Sequence, residues 1–311
     1  MTVVLAVVLL GKQALAQDAS ASPPNDIAST SASAQPKAAT AMKAGATFDD
    51  CHGASRCPKM IVLPSGTFTM GSPASEIGRL RDEEPQHAVT LRAFAVGEFD
   101  VTRAEYAAFV RESGRPAGGN CNHPNREGKW AEDASATWEN PGYQTSERDP
   151  IVCVSWQDAK AYVAWLSNKT GKAYRLLTES EWEYAARAGT ATPFYWGAAP
   201  EGAKGKANCS ACGSQWDNKQ PAPVGSFPAN AFGLFDMAGN VWQWVEDCYV
   251  PNYSGAPTDG AFVTTGDCAQ RVMRGAGWWE DKPVDLRSAG RGGGHPGDRG
   301  SNLGFRVART L

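Results

Sequence analysis

The stretch Arg175-Leu-Leu-Thr-Glu-Ser-Glu-Trp-Glu-Tyr-Ala-Ala-Arg187 carries a strong local helix signal. Thr178 and Glu181 have the spacing of a capping box, in which the hydroxyl accepts from an orphan backbone N–H and the acid reaches back to the cap. Gly189 follows as a stop signal, because glycine adopts the left-handed conformation that ends helices. The sequence therefore predicts a helix that begins after Thr178 and ends before Gly189.

Two further capping boxes lie upstream of this stretch. Thr102-Arg-Ala-Glu105 predicts a helix that runs to about Glu112, with Gly114 as its stop. Ser155-Trp-Gln-Asp158 predicts another helix, which ends at Gly171. The apolar residues of that helix form one stripe at i, i+3, i+4 and i+7: Ala159, Tyr162, Val163 and Leu166.

The remaining regular structure is predicted to be short. Strand patterns occur at Met60–Leu63, Gly66–Met70, His87–Leu91, Val272–Arg274 and Gly304–Val307. The rest of the chain, above all residues 190–270, is rich in turn residues and is predicted as loop. No internal repeat is visible. The pattern predicts an α+β fold with little regular secondary structure, held together by Trp packing and cross-links.

Composition excludes several classes of protein. Lys plus Arg number 30 and Asp plus Glu number 33 in 311 residues, so a nucleic-acid or anionic-membrane surface with a clustered basic excess is not indicated. No apolar run reaches the ~18 residues that a membrane-spanning helix needs. The apolar fraction of 42% is enough for a real core.

The first residues are predicted to direct export. Val3–Leu10 has the length of a signal-peptide apolar region, and Ala14-Leu-Ala16 gives the small-x-small pattern before a cleavage point after Ala16. Met1-Thr2 lacks a basic residue, which leaves the true start codon open. Residues 17–46 contain ten Ala, five Ser and three Pro and are predicted as a disordered linker. We therefore expect a signal peptide (1–16), a linker (17–46), one folded domain (47–311) and a periplasmic or secreted location.

The eight cysteines are even in number, which in an exported chain indicates disulfides. We predict that sequential neighbours pair: Cys51–Cys57, Cys121–Cys153, Cys209–Cys212 and Cys248–Cys268. Cys209-Ser-Ala-Cys212 also has the form of half a zinc site or a redox pair. No second motif completes a zinc site, and the Asn, Ser and Gly around it are typical of a loop.

Several blocks, taken in order, resemble the formylglycine-generating enzyme, or sulfatase-modifying factor, family. The resemblance covers roughly residues 57–309 and implies a variant of the C-type lectin fold, with a small mixed sheet, few helices and much loop. The blocks that carry it are Met60–Ser72, Glu84–Leu91, Glu98–Tyr106, Pro150–Ala159, Arg175–Arg187, Ala222–Phe227, Asn230–Trp244, Arg271–Gly275 and Gly304–Arg306.

The resemblance also implies a range of activities. The best-known members oxidise a sulfatase cysteine with O₂ and a copper ion held by two cysteines. Related domains bind iron in sulfur-oxidising biosynthetic enzymes, act in pyoverdine maturation, or serve as lectin-like ligand-binding modules. Here the matching stretch Arg274–Arg287 contains no cysteine, and Gly277 replaces the serine of the family turn. Copper(I) needs soft thiolate ligands, so we expect the copper chemistry to be absent.

An iron site is chemically allowed but has no supporting ligand spacing. Its candidate ligands are the carboxylates near the place of the family's copper and four scattered histidines: Glu280, Asp281, Asp285, His52, His87, His123 and His295. Ordinary hydrogen-bonded histidines and a solvated acidic turn explain the same residues. Iron is therefore held as unsupported.

Calcium is the metal that the resemblance favours. One family site maps to Asp236, the carbonyls of Gly239 and Val241, and Gln243, which replaces a glutamate and removes one charge. A second maps to Asn208, the carbonyl of Cys209 and Asp217. The alternative is that the side chains of Asp236 and Asn240 only satisfy loop amides.

By family position, the C-terminal segment lines a ligand cleft. Aromatic and Arg side chains there could stack on sugars or peptide side chains and clamp carboxylates. The alternative is that the Trp pair belongs to the core. The candidate residues are Trp278, Trp279, Glu280, Asp281, Arg287, Arg291, His295 and Arg299.

We therefore expect a monomeric binding or accessory module, with a peptide, protein or glycan ligand in this cleft. The partner would be a peptide or a component of the cell envelope. The alternative is an O₂-dependent oxidase of the same family that uses another metal or site. A third hypothesis is a lectin-like display protein.

Overall fold

The computed structural model describes residues 42–51, 56–125, 127–265 and 268–311. The predicted signal peptide, residues 17–41 of the predicted linker and His52 lie outside the described residues. In the part of the chain that is described, no helix has both the length and the apolar character needed to cross a bilayer.

The three predicted helices are confirmed. They are α1 (Arg103–Ser113), α2 (Trp156–Thr170) and α3 (Glu179–Arg187), and each opens with the capping box seen in the sequence. Gly114 and Gly171 end α1 and α2 in the left-handed conformation, as expected. In α3 the left-handed residue is Ala188 at φ 46°, one position before Gly189.

The described residues form short strands throughout the domain. In chain order they are β1 (Thr47–Phe48), β2 (Met60–Leu63), β3 (Gly66–Met70), β4 (His87–Leu91), β5 (Phe94–Gly97), β6 (Cys121–Pro124), β7 (Trp130–Asp133), β8 (Tyr174–Leu176), β9 (Trp242–Cys248), β10 (Arg271–Arg274), β11 (Arg291–Gly294), β12 (Leu303–Phe305) and β13 (Val307–Thr310).

Two sheets carry the domain. One has the order β1-β2-β5-β13-β8 and is antiparallel throughout. The other has the order β11-β10-β9-β12, in which β12 runs parallel to β9. Two antiparallel ribbons, β3–β4 and β6–β7, complete the described sheets. The last strand lies in the centre of the first sheet, so the two ends of the domain are joined there.

Two predictions about strands are corrected. The predicted strand Gly304–Val307 is two strands in different sheets, because the chain turns at Arg306 and buries that side chain completely. Arg306 there donates to the carbonyl oxygens of Gly97 at 2.8 Å and Phe235 at 2.7 Å. The predicted loop 190–270 contains β9, whose side chains are almost all buried and therefore lack the alternation that marks a half-exposed strand.

The core is aromatic. Tyr106 and Phe109 of α1 pack at 5.2 Å between ring centroids, and Tyr162 of α2 meets Phe305 of β12 at 5.3 Å. The residues at the end of the predicted linker also touch the domain, since the Gly45 amide donates to the Val62 carbonyl at 2.8 Å.

The four predicted disulfides are confirmed, and none of the eight cysteines is free: Cys51–Cys57, Cys121–Cys153, Cys209–Cys212 and Cys248–Cys268.

Candidate functional site

Two arginines of the predicted cleft lie in the interior. Arg287 is 3% exposed and donates from Nη1 to Glu76 Oε1 at 2.9 Å and to Glu83 Oε2 at 2.6 Å. Arg291 is 5% exposed and donates from Nε to Glu179 Oε1 at 2.6 Å. Both guanidinium groups are already paired with carboxylates and have almost no surface, so neither is placed to clamp a ligand.

The two tryptophans of the predicted cleft differ in environment. Trp278 is 1% exposed, and its indole N–H donates to the Ser301 carbonyl at 3.1 Å, so it is a core residue. Trp279 is half-buried and lies perpendicular to two other rings, Trp278 at 5.3 Å and Trp130 at 6.0 Å. The exposed part of the aromatic group is therefore a corner formed by Trp130 and Trp279, which we call the tryptophan corner.

Carboxylates follow the tryptophan corner in the sequence. Glu280 is half-buried and accepts a hydrogen bond from Trp242 Nε1 at 2.8 Å. Burial raises the pKa of Glu280, and the carboxylates of Asp285 and Asp281 raise it further. Burial also raises the pKa of Asp285. The Asp281 side chain is exposed.

The remaining predicted cleft residues contribute less. His295 is exposed, and its Nδ1 accepts from the Gly297 amide at 3.2 Å. Arg299 is half-buried and donates from Nη2 to Asp158 Oδ2 at 2.8 Å.

The candidate iron ligands are not brought together. His87 Nδ1 lies 3.2 Å from the Pro85 carbonyl, whereas His123 Nε2 lies 3.2 Å from Asp133 Oδ2. Within the described ranges, no group of three or more His, Cys, Asp or Glu side chains is arranged to hold a metal ion.

The first predicted calcium set lies at a buried turn before β9. Asp236 is 6% exposed, and its Oδ2 accepts from the Gly225 amide at 2.8 Å, whereas Oδ1 has no hydrogen-bond partner among the described residues. Burial raises the pKa of Asp236 to about 6, against the lowering effects of the Gly225 amide and Arg306. The unpartnered oxygen fits a cation site, since a buried carboxylate oxygen without a donor is costly.

Gln243 fits that site less well. Its Oε1 accepts from Trp182 Nε1 at 2.8 Å and from Arg306 Nε at 3.3 Å, and its amide nitrogen donates to the Asp236 carbonyl at 3.1 Å. Of the backbone in this set, Gly239 is left-handed at φ 74°, and the Val241 side chain is buried. Asp236 thus carries the charge of this set.

The second predicted calcium set is better arranged. Asn208 Oδ1 and Asp217 Oδ1 both face the Ser214 hydroxyl, at 2.9 and 2.5 Å. One hydroxyl has one proton, so only one of the two oxygens can accept it. Cys209, whose carbonyl completes the set, is held in the disulfide with Cys212. Two oxygens that converge on one point fit a hard cation.

One acidic residue near the first set was not identified in the sequence. Asp100 is 1% exposed, and neither of its carboxylate oxygens has a hydrogen-bond partner in the described part of the chain. The nearest opposite charge is Arg306, with Nη2 at 3.5 Å from Oδ1. Burial raises the pKa of Asp100 to about 7; Arg306 lowers it and Asp236 raises it.

Comparison with known proteins identifies the domain. A family model described as a sulfatase-modifying factor enzyme 1-like domain matches residues 47–311. The formylglycine-generating enzyme of Streptomyces coelicolor is 34% identical over 293 residues, covering 79% of this chain and 87% of that protein. The inactive C-alpha-formylglycine-generating enzyme 2 of Mus musculus is 32% identical over 299 residues, covering 83% and 88%.

A solved structure agrees with this assignment. The structure of PvdO from Pseudomonas aeruginosa superposes with a TM-score of 0.75 at 42% identity, covering 87% of this chain and 100% of that one. The family and the fold that the sequence blocks implied are therefore both confirmed.

Proposed function

The chain belongs to the sulfatase-modifying factor enzyme 1-like domain family, and on that premise we propose that it is an exported binding or accessory module. In this proposal it acts on a peptide, protein or glycan partner in the periplasm or outside the cell. It does so without the cysteine-based copper chemistry that the resemblance implies for the best-known members of the family.

The state of the cysteines is the observation that carries the proposal. All eight are in disulfides, and the segment Arg274–Arg287 contains none. A disulfide sulfur is not a thiolate, so it offers neither a soft copper ligand nor a nucleophile. Glu280 and the tryptophan corner occupy that segment and its surroundings instead.

The relatives support a role other than catalysis. A mouse protein named as an inactive enzyme of the family is 32% identical to this chain over 83% of its length. The domain can therefore be retained without the enzymatic activity, and an accessory role for this chain is consistent with that precedent.

The tryptophan corner supports binding. Trp130 and Trp279 are half-buried and perpendicular, and Asp281 and His295 add exposed polar groups to the same C-terminal region. Half-exposed Trp faces bury a large apolar area on contact with a sugar ring or peptide side chain at little cost in conformational entropy. Arg287 and Arg291 have no part in this surface because they are buried.

We include calcium in the proposal as a structural cofactor. Asp236 would hold it in the first set, and Asn208 with Asp217 in the second, together with the backbone oxygens named above. Calcium would supply the positive charge that the buried oxygens lack, and so would order the loops around them.

An oxidase that uses another site is the second candidate. Two features favour it: the identity to proteins named formylglycine-generating enzymes, and the half-buried Glu280 beside Asp285. Such an enzyme would need iron or another metal that accepts carboxylate oxygen.

The experiment that separates the two candidates measures oxygen consumption. The purified protein, supplied with copper(I) or iron(II), is mixed with a cysteine-containing peptide. We expect no consumption above the metal and peptide alone, and no aldehyde in the peptide by mass spectrometry. Protein-dependent consumption would overturn the proposal.

Binding is measured in parallel. Peptides and cell-wall glycan fragments are titrated against the protein, its Trp279→Ala variant and a Trp165→Ala control, which removes a half-buried Trp on α2. We expect at least one ligand class to bind and to be weakened only by Trp279→Ala. Equal affinity in all three proteins would remove the tryptophan corner from the account.

A further inference from the structure

Asp100 and Asp236 lie on segments that are held side by side. The Phe235 amide donates to the Glu98 carbonyl at 3.1 Å, and the rings of Phe99 and Phe235 stack at 4.9 Å between centroids. Asp100 and Asp236 each follow one of the two stacked phenylalanines in the sequence. The two carboxylates are therefore delivered to the same buried region.

Arg306 is the cation that both carboxylates share. Its Nη2 lies 3.5 Å from Asp100 Oδ1, and its Nε donates to Gln243 Oε1 at 3.3 Å. Gln243 in turn donates to the Asp236 carbonyl. The other Arg306 donors are committed to the carbonyls of Gly97 and Phe235. The guanidinium is thus spread over several acceptors and makes no hydrogen bond to either carboxylate.

The charges in this cluster do not balance. Two buried carboxylates face one guanidinium, which leaves an excess negative charge. Three carboxylate oxygens have no hydrogen-bond partner among the residues that the structure describes: Asp100 Oδ1, Asp100 Oδ2 and Asp236 Oδ1. A buried charge without a partner costs several kcal/mol or takes up a compensating ion. The nearby Lys59 does not supply it, because its ammonium pairs with Glu98 at 2.9 Å.

We propose that Asp100 is a further side-chain ligand of the calcium ion held by Asp236, and that it supplies the carboxylate that Gln243 does not. The proposal rests on the calcium part of the function proposed above. It assigns a role to a residue outside the Asn230–Trp244 block and explains why a buried carboxylate there has no hydrogen bond. Hard cations are held by several carboxylate and carbonyl oxygens, and the number of charges tunes their affinity.

Terbium luminescence tests the proposal directly, because Tb³⁺ binds at calcium sites and is sensitised by nearby tryptophan. Trp182 donates to Gln243 at 2.8 Å, so an ion in the first set lies close to an indole. The parent for this experiment is the Asp217→Asn variant, in which the second set has lost its carboxylate. Asp100→Asn and Asp236→Asn are then added to this parent separately, and Tb³⁺ is titrated with and without competing calcium.

Three outcomes are informative. We expect the parent to bind Tb³⁺ in competition with calcium, and Asp100→Asn to weaken the affinity at least ~10-fold, as Asp236→Asn does. Binding by the parent that Asp100→Asn leaves unchanged would overturn this inference and keep the calcium proposal. No calcium-competed binding by the parent would overturn both. The proposed binding role rests on the cysteines and the tryptophan corner and is tested separately.

Thermal unfolding distinguishes a ligand from a residue with only a structural role. In chelator, Asp100→Asn should be as stable as the wild type or more stable, because it removes an unpaired buried charge. In saturating calcium it should be less stable than the wild type. The order of the two melting temperatures therefore reverses with calcium. A variant that is destabilised equally in both conditions, or that fails to fold in chelator, would contradict the inference.

Discussion

Arg291 donates two hydrogen bonds to Glu179, from Nε to Oε1 at 2.6 Å and from Nη2 to Oε2 at 2.9 Å. Both side chains are buried, so this pair ties β11 to the start of α3. The guanidinium also covers the ring of Tyr253, at 4.4 Å from its centroid. An arginine that the sequence placed in a ligand cleft is therefore part of the scaffold that supports it.

Arg291→Met tests this structural role. Loss of one member of a buried ion pair leaves the other as an uncompensated charge, so we expect a loss of about 3–5 kcal/mol in the free energy of unfolding. Urea denaturation measures it. The control is Arg299→Met, whose half-buried partner Asp158 keeps a second arginine, Arg115 at 2.6 Å. A variant with full stability but weakened ligand binding would return Arg291 to the cleft.

Trp278 and Trp279 should separate stability from binding. Trp278→Ala removes a fully buried side chain and is expected to cost about 3–5 kcal/mol of unfolding free energy. Trp279→Ala removes a half-buried one and should cost about 1–2 kcal/mol. Only Trp279→Ala is expected to weaken a ligand without unfolding the protein. Equal destabilisation by both would show that the tryptophan corner is core.

The disulfides should differ in their contributions to stability. Cys121–Cys153 spans 32 residues and Cys209–Cys212 spans 3. Because cross-links stabilise mainly by restricting the unfolded chain, replacing both cysteines by alanine should cost about 4 kcal/mol for the first pair and about 2 kcal/mol for the second. Chemical denaturation of the two double variants measures the difference. The reverse order would indicate that the short disulfide shapes the folded loop instead.

Asp247 predicts a pH dependence of stability. Burial and the Glu179 carboxylate raise the pKa of Asp247 from 3.8 to about 8. The folded state therefore holds a proton that the unfolded state releases, and stability falls as the pH rises from about 4 to 8. We expect Asp247→Asn, which cannot ionise, to flatten the decline between pH 5 and pH 8.

Denaturation at several pH values, with the calcium concentration fixed, measures this slope. The control is Glu201→Gln, which changes an exposed carboxylate. If wild type and Asp247→Asn show the same slope, Asp247 is ionised throughout the range, held by the Glu179 and Val263 amides that donate to its oxygens.

Local signals in the sequence were sufficient for the helices. Thr102, Ser155 and Thr178 each accept from the backbone N–H three residues later, as the capping boxes predicted. The disulfide pairs also followed from order along the chain. These features depend on residues close in sequence, where local chemistry determines the structure.

Features that depend on distant partners could not be predicted in this way. β9 is buried on both sides and so shows no alternation, and Arg306 ends a strand because carbonyls far away in the chain accept its protons. Asp100 carried one weak signal, an acid between the apolar residues Phe99 and Val101. Its position beside Asp236 depends on a contact between remote segments.

The cleft prediction failed for Arg287 and Arg291 for a related reason. An Arg- and Trp-rich segment is typical of a binding surface, but the same side chains serve as buried ties when carboxylates meet them. The partners here, Glu76, Glu83 and Glu179, come from other parts of the chain.

A count of free thiols tests the central claim most directly. The purified protein is denatured without reductant, alkylated, and weighed intact by mass spectrometry, with a reduced sample as the control that must take up eight labels. The account predicts no label on the unreduced protein, because four disulfides occupy every cysteine. Two labelled cysteines in a stoichiometric fraction would contradict it and would identify the pair available for metal or redox chemistry.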